Sequence, residues 1–271
     1  MIIVFRAVFL SALVVVFLSG CRKNDPLPLP SAPDKHLLRA IEWNNGSKAV
    51  LDYNADSTLT SITSSFQNTA SLTSFRFSGK KIAEMTDNES LRKVVYHYNQ
   101  KGQVESTVGI YKDSTVPYSH EMRYTYNPNG SVATLNFYLV VGAVTTLEAI
   151  STYEYKSNGD LYKVTTASEN LVATYVIDGY SAECDFSIYP YLDIALKVDY
   201  PLFNYPVLNT MKKLPSKITR IVKIGKDEPF IDHIEETGFT LTGKRIDKTV
   251  SRFTYPGYPA GNKTVLADYK Y

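Results

Sequence analysis

One unit repeats along this chain. Tyr96-His97-Tyr98-Asn99-Gln100-Lys101-Gly102-Gln103-Val104 returns as Tyr124-Thr125-Tyr126-Asn127-Pro128-Asn129-Gly130-Ser131-Val132 and again as Tyr153-Glu154-Tyr155-Lys156-Ser157-Asn158-Gly159-Asp160-Leu161, with the glycines spaced 28 and 29 residues apart. Two tyrosines flank a polar residue, a polar turn closes on glycine, and a second run opens with an aliphatic residue. Such a period constrains the fold more than any local propensity, because every unit must form the same piece and none can bury its apolar face alone. The piece is a β-hairpin, since Asn129-Gly130 and Asn158-Gly159 suit turns of positive φ, which glycine adopts without steric cost. Weaker copies begin at Leu51-Asp52-Tyr53, Phe75-Arg76-Phe77 and Phe239-Thr240-Leu241. Six hairpins, at two strands each, make about twelve strands.

Side chains alternate faces along a strand, so Tyr96/Tyr98, Tyr124/Tyr126 and Tyr153/Tyr155 share one face while His97, Thr125 and Glu154 take the other. Neighbouring hairpins then line up aromatic ladders. A sheet with one aromatic face must curl, close or be covered, because a flat exposed apolar face is a liability. Between Tyr189 and Pro215 the period of two is lost, and short helix-like pieces sit between prolines. The chain is therefore expected to be all-β: a long antiparallel meander of about 10–14 strands curling into an open or half barrel, with one or two short helices near 189–213 plugging the concave face. Residues 36–271 form a single repeat-built domain in this reading.

The start of the chain places that domain. Arg6 precedes an apolar run from Ala7 to Phe17, and Leu18-Ser19-Gly20-Cys21 resembles a lipobox. The run is too short for a spanning helix of roughly 20 residues and fits an export signal. Residues 1–20 read as a lipoprotein signal peptide, and 21–35, with Pro26, Pro28, Pro30 and Pro33, as a proline-rich tether of extended polyproline character. By resemblance to lipoproteins, Cys21 carries a thioether-linked diacylglycerol and an amide-linked acyl chain, enough lipid for a stable anchor. Arg22 does not match the acidic residue that signals inner-membrane retention in some Gram-negative bacteria, so the outer membrane is favoured. Arg22-Lys23-Asn24-Asp25 also lacks the acidic cluster of many surface-displayed lipoproteins, which leaves the periplasmic or surface face open.

Chemistry-bearing motifs are sparse. The net charge of +2 gives no nucleic-acid footprint, and the basic residues from Lys212 to Lys226 interleave with Ile218, Ile221 and Ile224 as on a solvated strand face. Cys184 reads as a small buried residue, with no histidine near it in sequence to make a catalytic thiol. Two carboxylate groupings could serve glycoside hydrolysis or, with histidine, a metal: Asp178, Glu183 and Asp185, and Asp232, His233, Glu235 and Glu236. Strict alternation would put Asp232 and His233 on opposite faces, and solvated strand edges explain both groupings more simply. No phosphate loop, nucleophile elbow or zinc spacing is present, and no cofactor or metal is implied. The 21 tyrosines and 12 phenylalanines, with the single Trp43, read first as the buried sheet face, a few of them able to line a ligand cleft. A membrane-spanning barrel would need lipid-facing bands of about ten alternating residues, and these strands are short and richly charged.

The Tyr-x-Tyr, polar turn, glycine, aliphatic unit resembles the YD repeats of rearrangement-hotspot and teneurin-type proteins. The whole arrangement resembles a Bacteroidetes lipoprotein family of unknown function with a porin-like, open-barrel β fold, sharing the lipobox, the proline tether, the repeated hairpins and the step Leu214-Pro215-Ser216-Lys217-Ile218. That resemblance implies a fold and an envelope location and assigns no activity or site residues. The expected role is non-catalytic: an outer-membrane-anchored lipoprotein acting as a binding or scaffold module for an envelope glycan, peptide or protein. The competing roles are an envelope hydrolase using a carboxylate pair and a YD-repeat-like component of a larger surface assembly.

Overall fold

A computed structural model describes residues 37–271 apart from 68, 89–91, 112–117 and 195–200. The signal peptide, Cys21 and the tether lie outside these residues. The strands are β1 (Ala40–Trp43), β2 (Lys48–Tyr53), β3 (Leu59–Phe66), β4 (Thr69–Ser78), β5 (Lys81–Asp87), β6 (Arg92–Tyr98), β7 (Val104–Tyr111) and β8 (Tyr118–Tyr126). They continue as β9 (Val132–Val141), β10 (Val144–Tyr155), β11 (Leu161–Ser168), β12 (Leu171–Tyr180), β13 (Pro215–Ile224), β14 (Phe230–Thr242), β15 (Arg245–Thr254) and β16 (Lys263–Lys270). Between β12 and β13 lie α1 (Tyr189–Ile194) and α2 (Tyr205–Leu208), the two short helices expected there.

Every strand pairs antiparallel with its sequence neighbour, and β1 pairs with β16 through Ile41–Tyr269 and Trp43–Ala267, so the sheet closes into a barrel of 16 strands. This corrects the expected open or half barrel of about 10–14 strands. The closing strand β1 has four residues and no repeat unit, and its partner is the last strand of the chain. No local pattern announces such a pairing, yet it removes both sheet edges and the cost of leaving them unpaired.

The repeat has a mechanical meaning. In each unit a bulge follows the turn: Tyr98 pairs Val104 but His97 pairs Ser106, and Tyr126 pairs Val132 but Thr125 pairs Thr134. The extra residue lets the aliphatic residue and the second tyrosine both face inward. That tyrosine then reaches back to the preceding unit. Tyr98 Oη donates to the Ile82 carbonyl at 2.7 Å, Tyr126 Oη to Val104 at 2.6 Å, and Tyr271 Oη to Ile246 at 3.0 Å, while Tyr180 reaches Leu161 in the same way. Tyr155 is directed at Val132 alike, but its buried hydroxyl falls short of a hydrogen bond. Burial pushes these hydroxyls up, to about 12 for Tyr126, so they remain donors. Gly130 and Gly159 take the positive φ of 88° that the turns require; Ser57 holds the equivalent place between β2 and β3 at 66°.

Alternation divides the wall sharply. Leu51, Ile62, Ile82, Met122, Val164 and Ile218 face the lumen and are almost fully buried. The outer face carries cross-strand ion pairs: Glu42–Lys48 at 2.9 Å, Glu84 with both Arg76 (3.0 Å) and Lys93 (2.7 Å), Glu154–Lys163 at 2.6 Å and Lys217–Glu236 at 3.1 Å. The lumen is filled by the described residues of the segment between β12 and β13. Leu192 and Leu208 pack with the inner residues of β1 to β6, and Leu202 and Val207 with those of β7 to β13. Tyr153 Oη donates to the Pro201 carbonyl at 2.7 Å, and the Tyr205 ring stands edge-on to Tyr96 at 5.7 Å. The repeat turns, the entry of this plug and both ends of the described chain share one rim. At the opposite, far rim lie the other turns, where Phe66, Val144, Phe230, Ile231, Tyr258 and Leu266 are exposed.

Candidate functional site

Inside the barrel a cavity of ≈ 380 Å³ separates the plug from the wall formed by β13 to β16 and β1. Register builds that wall in rows. Ile218, Glu235, Phe253 and Lys263 align across β13 to β16; Thr237, Ser251 and Val265 form the next row; Phe239, Thr249, Ala267 and Trp43 the one after. Tyr191, Phe203 and Leu214 of the plug segment face these rows. The lining is aromatic and aliphatic with a short polar stripe, the composition of a ligand pocket, and the volume lies in the range of about 300–1,000 Å³ such pockets have.

Glu235 is the acid of this cavity. Thr237 Oγ1 donates to its Oε1 at 3.3 Å and also meets Ser251 Oγ at 2.8 Å. Burial pushes the carboxyl up from its ordinary value, and the Thr237 hydrogen bond and the charges of His233 and Lys263 act in the opposite direction. Tyr191 and Tyr269 meet deeper in the cavity, and burial raises both hydroxyls. Lys263 Nζ lies 5.1 Å from the Phe253 ring centroid, at the end of the Glu235 row nearest the far rim.

A second polar group lies beside the cavity. Arg220 pairs opposite His233, but Ile221 pairs opposite Ile231, so Asp232 is the extra residue of a bulge. The bulge breaks the alternation expected for this stretch: Asp232 Oδ2 accepts from Arg220 Nη1 at 2.7 Å and lies 2.8 Å from His233 Nδ1. Burial works against the Asp232 charge, but its bonds to His233 and Arg220 outweigh that and hold the carboxyl below its usual range. Arg220 therefore leaves the solvated basic face expected of β13; its guanidinium lies 5.8 Å from the Tyr175 ring, while Lys217 stays outside on Glu236.

The other grouping does not assemble. Asp178 is an exposed residue beside Lys217 and Glu236 on the outer wall, Glu183 lies 3.7 Å from Lys244, and Asp185 bridges by its backbone to Arg245. Cys184 is buried, 3.7 Å from Ser181 Oγ, and burial pushes its thiol up. No trio of His, Cys, Asp or Glu able to hold a metal exists among the described residues. The sequence singled out Glu235 and His233 but not Phe239, Phe253 and Lys263, which share the wall through the consecutive pairing of β14 to β16, nor the place of Trp43, which joins it only through closure of β1 on β16. A search along the inward rows of the last strands would have found Phe253 and Lys263.

No family model and no curated protein matches the chain. Among solved structures, a porin-like protein from Bacteroides vulgatus ATCC 8482 is similar over 86% of this chain and 98% of its own, at 14% identity and a TM-score of 0.57. A porin-like protein from Bacteroides uniformis ATCC 8492 is similar over 86% and 96%, at 14% identity and a TM-score of 0.54. At such identity the likeness is one of fold.

Proposed function

We propose that this protein is a non-catalytic binding protein of the cell envelope, held on the outer membrane through acylated Cys21, with a water-facing barrel whose lumen takes a small ligand. One observation carries this reading: the wall turns its apolar side inward around an aromatic cavity and its ion pairs outward. Lipid-spanning barrels have the reverse arrangement, an apolar band outside and a polar interior. The non-catalytic part is supported by the lining, in which Glu235 has no second carboxylate beside it. A lipobox, a proline tether and a fold shared with Bacteroides proteins support the envelope location.

Thermal unfolding of the mature chain, residues 21–271 with Cys21→Ser, in the presence of apolar small molecules, glycans and peptides tests the binding role. A ligand at 100 times its Kd adds about 2.7 kcal/mol and raises Tm visibly. Absence of any shift would overturn the lumen as a binding chamber. A scaffold role is the second reading, favoured by the exposed apolar residues of the far rim. A photo-crosslinker at Phe230 that captures no envelope protein in cells would remove it.

A further inference from the structure

The cavity holds one anion and no cation in contact with it. Glu235 is the only acid in the lining, Thr237 donates its hydrogen bond, and no described residue makes an ion pair with it. Glu235 is half-buried, and a carboxylate set in a largely apolar lining with no cation in contact gains from a cationic partner. The same cavity is lined by Trp43, Phe203, Phe239 and Phe253, aromatic rings of the kind whose faces attract cations. Lys263 already shows that preference by placing its ammonium 5.1 Å from the Phe253 centroid. It does not neutralise Glu235 by contact, because Phe253 stands between them in the row. An anionic ligand entering the chamber would meet the Glu235 carboxylate, and a neutral one would leave it unpaired.

We propose that the luminal cavity binds a small amphipathic amine, its aryl or alkyl body against the aromatic wall and its ammonium on the Glu235 carboxylate. This rests on the lumen being the binding chamber and names what the chamber recognises. The enclosure between plug and wall fits a free small molecule. Bringing an ammonium to Glu235 favours its ionised form, which burial alone disfavours.

Trp43 is the single tryptophan and lines the cavity, so its fluorescence reports occupancy directly. The mature chain with Cys21→Ser is titrated with three probes of matched size: phenethylamine, 2-phenylethanol and 3-phenylpropionate. The amine is expected to bind about tenfold tighter than the alcohol or better, as a charge-assisted hydrogen bond provides. Glu235→Gln should erase that advantage while leaving the Trp43 spectrum and the thermal unfolding cooperativity of the ligand-free protein unchanged, which shows that the variant is folded. Equal binding of amine and alcohol, or an advantage that survives Glu235→Gln, would overturn the proposal and leave the binding chamber standing. Tightest binding by the carboxylate would overturn it in favour of recognition by Lys263. If no probe changes the Trp43 emission or Tm, the proposal and the luminal binding role fall together.

Discussion

Two kinds of residue show how burial decides the value of a polar group. Tyr126 and Tyr155 occupy the same place in successive repeats, but only Tyr126 completes its bond to the preceding unit. Tyr126→Phe leaves the Val104 carbonyl without its donor and should cost about 1–2 kcal/mol. Tyr155→Phe removes a hydroxyl that is buried and unpaired, so it should be neutral or slightly stabilising; chemical denaturation of the two variants measures the contrast. Glu235 is the other kind. Its folded-state pKa is raised above the unfolded value near 4.5, so between those values the folded protein holds a proton that the unfolded chain has lost. Stability therefore falls as pH rises through that window and stays lower above it. Glu235→Gln should raise Tm at neutral pH and leave it unchanged below pH about 4, where the carboxyl is protonated in both states. Equal Tm values at neutral pH would show that Glu235 bears no burial cost. The sequence brought Glu235 into view as one of several acids, yet nothing in it signalled that Asp232 sits on a bulge. Alternation is a rule for regular strands, and a single inserted residue reverses it for everything on one side.

At the scale of elements, the hairpins were legible and the closure was not. Tyr-x-Tyr, a polar turn, glycine and an aliphatic residue mark the hairpins because each residue acts locally. The ring points into the lumen, the turn takes positive φ, and the aliphatic residue lies beside the tyrosine across the bulge. The helical plug was equally visible, since prolines and a lost period of two cannot be read as strand. β1 and β16 meet across the whole length of the chain, and their pairing follows from the number of strands and their tilt, which no short motif encodes. How firmly the barrel holds its plug can be measured at one side chain. Leu202 is fully buried among the inner residues of β7 to β13, so Leu202→Ala should destabilise by about 2–5 kcal/mol, as large-to-small changes in packed cores do. A cost below about 1 kcal/mol would mean that the barrel does not grip this segment.

At the scale of the whole barrel, the closed sheet of 16 strands uses its two faces in the opposite way to a lipid-spanning barrel. In a lipid-spanning barrel the charges of Glu84, Lys93, Glu154 and Lys163 would lie against hydrocarbon, at about 2–4 kcal/mol for each Lys or Arg near the midplane. Here they pair across strands on the outer face, and the fully buried apolar residues of the inner face pack against the plug. On the proposed reading the wall stays out of the bilayer core, and membrane attachment rests on acylated Cys21. Two acyl chains, at about 0.8 kcal/mol for each buried methylene, hold a protein firmly where one holds it marginally. Phase separation in a detergent that clouds on warming separates the two sources of membrane affinity. The wild-type protein should enter the detergent phase, and Cys21→Ser should move it wholly to the aqueous phase with its Tm unchanged. A Cys21→Ser protein that still enters detergent would mean that the wall itself contacts lipid, and the reading of an anchored, water-facing barrel would give way to an embedded one.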